Sequence, residues 1–171
     1  FIEALLTCAT VGKERVAEPV NLNLVIRAVL ENLETAIQDG NAEINLTELP
    51  VILGTQTDGI QLLQNLISNA IKFRADEPPT VNIPVKIVDN FCQLSISDTG
   101  IGIESEYFDD IFKPLRRLRN QGHYPGSGIG LAACNKICQR MGGKILVEST
   151  PCIGSTFTVF MPLLAEEKIS Q

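Results

Sequence analysis

The sequence predicts an α+β protein built as a two-layer α/β sandwich. Three long segments have apolar residues at helical spacing, and the shorter segments between them have the patterns of strands. The two kinds of segment are grouped along the chain and do not alternate strictly, which favours helices packed on one sheet. Apolar residues make up 44% of the 171 residues and charged residues 20%. This balance is typical of a globular domain with one sizeable core.

Two of the three helices are predicted in the first half of the chain. Asn23 is suited to cap a helix that runs to about residue 38, and Gly40 is suited to end it. The second helix is predicted over 58–73, with Thr57 or Asp58 as its cap. Short apolar or alternating segments predict strands at 20–22, 42–46 and 51–53.

The second half is predicted to hold the rest of the sheet and the third helix. The predicted segments are a hairpin at 81–88 and 91–97, a short helix or helical turns at 104–112, a polar loop at 120–126, a helix at 127–141 and a closing hairpin at 144–149 and 155–161. Pro84 cannot donate to a strand ladder, so we expect its strand to lie at an edge or to carry a bulge.

Composition excludes several classes of protein. The net charge of −6 argues against sequence-independent binding of a nucleic acid, because such binding needs a basic face. Five cysteines and a single histidine make a disulfide framework and a zinc site improbable, and they favour a reducing, cytoplasmic compartment. The sequence has neither an apolar run of membrane-spanning length nor a basic leader, so we expect no membrane contact.

Two glycine-rich turns carry the strongest functional signal. The first is Asp98-Thr99-Gly100-Ile101-Gly102-Ile103, after a strand, and the second is Gly126-Ser127-Gly128-Ile129-Gly130-Leu131, at the start of a helix. Glycine lets a backbone approach a ligand closely, and a helix start offers N–H groups to phosphate. Together the turns predict a nucleotide, with the acid at one end and the helix start at the other. Neither turn has the form of a dinucleotide-binding fingerprint or a Walker A loop.

The predicted second helix carries a polar stripe. Gln61, Asn65, Asn69 and Lys72 fall on one face at about 100° per residue. A solvated face would explain this stripe equally well in isolation. Beside the glycine turns a ligand site is the better interpretation, because carboxamide oxygens suit Mg²⁺ and a lysine adds a point charge for phosphate.

The order of these motifs resembles that of the catalytic ATP-binding domain of sensor histidine kinases, in the superfamily shared with gyrase and heat-shock chaperone ATPases. Asn-x-x-x-Asn-Ala-x-Lys-Phe, Asp-x-Gly-x-Gly-Ile, Phe112-Lys113-Pro114-Leu115 and Gly-x-Gly-x-Gly-Leu match that family's N, G1, F and G2 boxes over 65–131. Segments 73–79 and 124–131 resemble the phytochrome-like cyanobacterial branch. The resemblance implies a Bergerat-type fold, with a mixed sheet of about five strands on three helices.

The resemblance also implies a role for each motif. Asp98 would accept a hydrogen bond from the adenine amino group, and Arg117 would reach the γ-phosphate of ATP from a lid. Asn69 would ligate Mg²⁺, and Asn65 would ligate the ion or orient the attack. The implied catalytic residues are Asn65, Lys72 and Arg117. The implied nucleotide-binding residues are Asn65, Asn69, Lys72, Phe73, Asp98, Gly100, Gly102, Ile103, Phe112, Gly126, Ser127, Gly128, Ile129, Gly130 and Leu131.

The implied organisation is that of a piece of a larger kinase. Residues 1–12 resemble the end of the dimerisation and phosphoacceptor hairpin, 13–19 a linker, 20–163 the catalytic domain and 164–171 a frayed tail. The phosphoacceptor histidine would lie on that hairpin upstream, so we expect no autophosphorylation by this chain alone. The implied partners are ATP and ADP, the hairpin of a homodimeric full-length protein and a response regulator receiver domain.

Two details qualify the resemblance. Leu115 stands where the family usually has a second F-box aromatic, and we interpret His123 as an exposed loop residue and not as a phosphoacceptor. Two other functions stay open at this point. One is an anti-sigma-factor-type serine kinase or ATPase of the same superfamily, and the other is a non-catalytic nucleotide-binding or docking module.

Overall fold

The computed structural model describes residues 16–115 and 129–164. Its elements in chain order are β1 (Glu18–Asn21), α1 (Leu22–Asn32), α2 (Glu34–Gly40), β2 (Glu43–Leu46), β3 (Val51–Gly54), α3 (Gln56–Lys72), β4 (Thr80–Ile83), β5 (Val85–Val88), β6 (Phe91–Asp98), α4 (Gly130–Arg140), β7 (Lys144–Thr150) and β8 (Gly154–Pro162). Two short 3-10 turns, Ser105–Tyr107 and Asp110–Phe112, lie between β6 and α4.

One mixed sheet forms a layer of the protein, with the strand order β2-β4-β6-β8-β7. The β2–β4 pair is parallel and the other neighbours are antiparallel. β5 also pairs with β6, and β1 with β3 forms a separate two-stranded ribbon. Helices α3 and α4 pack against the sheet and each other, and α1 packs on α3. The predicted two-layer α+β class is therefore confirmed.

The sheet separates an apolar face from a polar face by alternation along β6. Cys92, Leu94 and Ile96 are buried toward the helices, whereas Ser95 and Ser97 hydrogen-bond across to Thr158 and Thr156 of β8. Such alternation is what a strand with one covered face requires. It fixes which side of the sheet can carry the helical layer.

The predicted helix over 23–38 is wrong in its start and in its continuity. Asn21, and not Asn23, caps α1, and it accepts a hydrogen bond from the Asn23 N–H at 3.0 Å. The Asn23 side chain instead bonds both backbone groups of Leu49, at 2.8 and 2.9 Å. Leu33 leaves the helical conformation with φ −100° and ψ 8°, and it is buried, so the segment divides into α1 and α2.

The helix α3 begins two residues earlier than the sequence predicts. Thr55 caps it by accepting the Asp58 N–H at 3.2 Å, so neither Thr57 nor Asp58 is the cap. Asp58 is buried and forms an ion pair with Arg140 in the last turn of α4. This pair joins the start of α3 to the end of α4.

Helix α4 stops where the sequence predicts. Gly142 follows its end at φ +82°, a left-handed conformation that favours glycine. The strand predicted over 81–88 is divided at Pro84 into β4, which lies between β2 and β6, and β5, which pairs with β6 alone at an edge. The register against β6 is the same on both sides of Pro84, so the edge position is confirmed for β5 only and there is no bulge. The Pro84 carbonyl accepts the Ser95 N–H at 3.0 Å. No helix within 16–115 or 129–164 is long and apolar enough to cross a membrane.

Candidate functional site

The polar stripe of α3 lies on the half-buried face of that helix. Asn65, Asn69 and Lys72 are all partly exposed. The opposite face packs into the core through Leu62, Leu63, Leu66, Ile67, Ala70 and Ile71. The amphipathic pattern therefore holds two carboxamides and an ammonium group in a row on a rigid element.

The end of α3 is bonded directly to the glycine turn that follows β6. The carbonyl of Phe73 accepts the Ile101 N–H at 3.0 Å. A Cβ atom on Gly100 would overlap that same carbonyl, so only glycine fits there. The polar stripe and the Asp98 turn consequently share one fixed corner of the fold.

Asp98 occupies the last position of β6 and is held by backbone donors. Its Oδ1 accepts the Gly100 N–H at 2.8 Å and the Ser155 N–H at 3.2 Å. Both bonds go to Oδ1, and within 16–115 and 129–164 the other oxygen has no donor, so it is available to a ligand. Burial raises the pKa of Asp98 from 3.8 to about 6, and the two backbone N–H groups partly oppose that rise. The Asp98 carboxyl group is thus ionised at neutral pH, although burial disfavours its ionised form.

The tip of the β7–β8 hairpin supports the other side of the same turn. Gly102 has φ +74°, and a Cβ there would overlap the Thr150 carbonyl. The Ile103 N–H donates to the Ser149 hydroxyl at 2.7 Å. Ser149 and Ser155 were not predicted as site residues. A hairpin turn that contains Ser and Gly has the same sequence pattern whether or not it contacts a distant loop.

A side chain of α3 is also joined to the start of α4. The Asn65 side-chain nitrogen donates to the Gly130 carbonyl at 3.2 Å. A Cβ on Gly130 would lie 3.6 Å from the Asn65 carboxamide carbon, which is ordinary contact. Gly130 therefore does not require glycine for space in this conformation, unlike Gly100.

Apolar anchors lie on both sides of the segment between the F-box and G2-box motifs. Phe112 packs edge-on against Phe157 with ring centroids 6.4 Å apart. Ile129 is buried, and Leu131 packs against the core. Leu115 is exposed and has φ +61°. The predicted site residues Arg117, Gly126, Ser127 and Gly128, together with His123, lie outside the described residues.

Phe73 and Lys72 form a second contact at the end of α3. The Lys72 ammonium nitrogen lies 4.6 Å from the centroid of the Phe73 ring. A cation over an aromatic face is attracted by the ring quadrupole. The contact places the positive charge beside the Asn69 turn of the helix.

The donor chemistry of the stripe fits Mg²⁺ and not a transition metal. Residues 16–115 and 129–164 contain no group of three or more His, Cys, Asp or Glu side chains able to hold an ion. Burial raises the pKa of the Cys92 and Cys138 thiols to about 12, and both side chains lie in the hydrophobic core. Carboxamide oxygens one turn apart suit an ion that keeps water and phosphate oxygens as its other ligands.

Known proteins are similar to this chain in both sequence and fold. The family described as histidine kinase-, DNA gyrase B-, and HSP90-like ATPase matches residues 54–165. Phytochrome-like protein Cph1 of Synechocystis sp. is 37% identical over 139 residues, 81% of this chain and 19% of that protein. The chain therefore spans about a fifth of the length of this curated relative.

Two solved structures extend the likeness. Full-length ShkA, crystallised in complex with AMPPNP, is similar with a TM-score of 0.80 and 26% identity over 94% of this chain and 35% of that one. Histidine kinase ThkA, crystallised in complex with the response regulator protein TrrA, is similar with a TM-score of 0.74 and 26% identity, covering 97% of this chain and 48% of that one.

Proposed function

The chain belongs to the family of histidine kinase-, DNA gyrase B- and HSP90-like ATPases, and from this premise we propose that it binds Mg²⁺-ATP for phosphoryl transfer to a histidine. The sequence-based identification of a histidine-kinase catalytic domain of the phytochrome-like branch is confirmed. The residue roles and the transfer itself are our proposal.

The observation that carries the proposal is the way in which Asp98 is held. Its carboxylate is half-buried, fixed at one oxygen by two backbone N–H groups, and open at the other oxygen. The adenine amino group is a donor suited to that second oxygen, whereas guanine presents a carbonyl at the same position. A buried acceptor of this kind selects strongly against a ligand that lacks the donor.

The phosphate end of the nucleotide is assigned to the polar face of α3 and the start of α4. Asn69 and Asn65 would hold Mg²⁺, and Lys72 would contact the phosphates. A Mg²⁺ ion held by Asn69 and Asn65 would supply positive charge that neutralises the phosphate oxygens. Gly130 contributes the first turn of α4, and the remaining G2-box glycines with Arg117 form the proposed lid.

The acceptor is proposed to be a histidine on a helical hairpin of the complete kinase, followed by an aspartate of a response regulator. The ThkA complex with its response regulator supports a partner of this type. In the proposed organisation residues 1–12 end the hairpin of a cytoplasmic homodimer and 13–17 form a linker. The catalytic domain runs from 18 to 163 and not from 20, because β1 starts at Glu18 and pairs with β3. Positioning and charge neutralisation are most of what phosphoryl transfer needs from a protein.

The chemistry at Asn65 favours transfer over hydrolysis. A gyrase-like ATPase has a glutamate at this position as the general base for water. A carboxamide has no comparable basicity, and Asn65 donates to the Gly130 carbonyl. Water is therefore expected to attack slowly while ATP stays bound.

Equilibrium titration with AMPPNP tests the proposal. We expect binding by the native chain that strengthens at least about tenfold when Mg²⁺ is added, since Asn69 and Asn65 would supply oxygen ligands to the ion. Asn69→Ala should remove most of that gain. Asn32→Ala serves as the matched control, because Asn32 bonds the side chain of Gln64, which is not one of the proposed ligand residues. Absence of binding at millimolar AMPPNP with Mg²⁺ would contradict the proposal.

A further inference from the structure

The tip of the β7–β8 hairpin is bonded to the Asp98 turn at three separate points. The Ser155 N–H donates to Asp98 Oδ1 at 3.2 Å, and the Cys152 N–H donates to the Ile101 carbonyl at 2.8 Å. The third bond runs from the Ile103 N–H to the Ser149 hydroxyl at 2.7 Å. The first two bonds use only backbone groups of the hairpin, so Ser149 supplies a side chain that can be removed without changing the backbone.

The Ser149 hydroxyl has three close partners, which fixes the direction of each bond. It donates to the Gly154 carbonyl at 2.9 Å and accepts from the Ile103 N–H. A hydroxyl has one proton and two acceptor sites. The contact with the Ser155 hydroxyl at 2.7 Å must therefore be donated by Ser155, and the Ser149 oxygen is fully used.

We propose that Ser149 is a positioning residue for adenine recognition, acting through the hairpin tip on the geometry of Asp98. This inference rests on the proposed function. Ser149 bonds Gly154 and Ser155 in the hairpin and Ile103 at the far end of the turn. Ser155 in turn donates its N–H to the Asp98 carboxylate. Ser149 thus links the two segments that orient the carboxylate.

Loss of the Ser149 hydroxyl would take one hydrogen bond from each of its partners. The Ile103 N–H and the Gly154 carbonyl are both part-buried, and an unpaired buried backbone group is costly. The hairpin tip can lower that cost by separating from the turn, which takes the Ser155 N–H away from Asp98. The β7–β8 register continues over seven paired positions, so the change stays local to the tip.

Two nucleotides distinguish positioning from general support of the fold. ATP offers the 6-amino group to Asp98, whereas purine riboside triphosphate is the same molecule without that group. We expect Ser149→Ala to weaken ATP binding about tenfold, which corresponds to the loss of one hydrogen bond to a charged group. Binding of purine riboside triphosphate should change by less than about twofold, because it never used that bond.

The variants are compared in the 171-residue chain by titration with each nucleotide in Mg²⁺. Ser149→Thr retains the hydroxyl and should restore ATP affinity. Ser95→Ala is the matched control, since Ser95 forms a cross-strand bond to Thr158 on the same sheet and no bond to the turn. If Ser149→Ala does not fold, Ser149→Cys takes its place, because a thiol keeps the shape with weaker hydrogen bonding.

The outcomes separate the two levels of the argument. Equal weakening of ATP binding and of purine riboside triphosphate binding would overturn the positioning role. The proposed function, nucleotide binding by the native chain, would still stand. An unchanged ATP affinity in Ser149→Ala would overturn it as well. A native chain that binds neither nucleotide would refute the proposed function itself.

Discussion

Replacing Asp98 by asparagine should make the protein more stable at neutral pH while weakening its proposed ligand contact. Burial raises the pKa of Asp98 from 3.8 to about 6, so the ionised carboxyl disfavours the folded state. At about 1.4 kcal/mol for each pKa unit, the cost at pH 7.5 is about 3 kcal/mol. Asparagine has no charge to desolvate and keeps an oxygen for the Gly100 and Ser155 N–H groups.

The sign of the pH dependence follows from the raised pKa. Between pH 3.8 and about 6 the folded protein binds the proton more tightly than the unfolded chain does. The native protein therefore loses stability through Asp98 as the pH rises through this window, and the asparagine variant does not. The advantage of Asp98→Asn should be about 2 kcal/mol smaller at pH 4.5 than at pH 7.5.

Urea unfolding of the two proteins at both pH values measures this difference. Other titrating groups are the same in both proteins, so their contributions cancel. Asp76→Asn is the control, because Asp76 is exposed in the turn after α3. An asparagine variant that is less stable at pH 7.5, or an advantage that does not change with pH, would refute the burial argument.

Three further predictions concern the same corner of the fold. ATP affinity should fall as the pH drops below about 6, because a protonated Asp98 loses an acceptor site. Titrations with ATP at pH 7.5 and 5 measure this change, and equal affinities at the two pH values would contradict it. Gly100→Ala should destabilise the folded protein by more than about 2 kcal/mol, because the added Cβ meets the Phe73 carbonyl. Gly130→Ala should not, because its Cβ would lie 3.6 Å from the Asn65 side chain. Thermal unfolding compares the two variants. ATP hydrolysis by the native chain should be slow, since Asn65 is not a base, and rapid multiple turnover in a phosphate-release assay would exclude that role.

The parts of the fold that could be predicted are those set by local pattern. The stripe of α3 and the stop at Gly142 follow from helical periodicity and backbone chemistry, and the structure has both. The predicted cap at Asn23 is wrong because its side chain bonds Leu49, twenty-six positions away. The first predicted helix divides at Leu33, where the sequence has no glycine or proline to mark a break.

The motifs of the site could be predicted from the sequence, but the residues that hold those motifs in place could not. Asp98 and Gly100 stand out as an acid before glycines, and their order with Asn65 indicated the family. Ser149 and Ser155 were not found, because their value depends on where the β7–β8 hairpin lies relative to a turn about fifty residues earlier. The Asp58–Arg140 pair was missed for the same reason, since it joins two helices that are distant in sequence.

Adenine recognition by Asp98 is tested most directly by calorimetric titration of the native chain with ATP and with GTP in Mg²⁺. The open carboxylate oxygen should make a hydrogen bond with adenine and face a carbonyl in guanine. ATP is therefore expected to bind about a hundredfold more tightly than GTP. Equal affinities for the two nucleotides would contradict the assignment of Asp98 to the base.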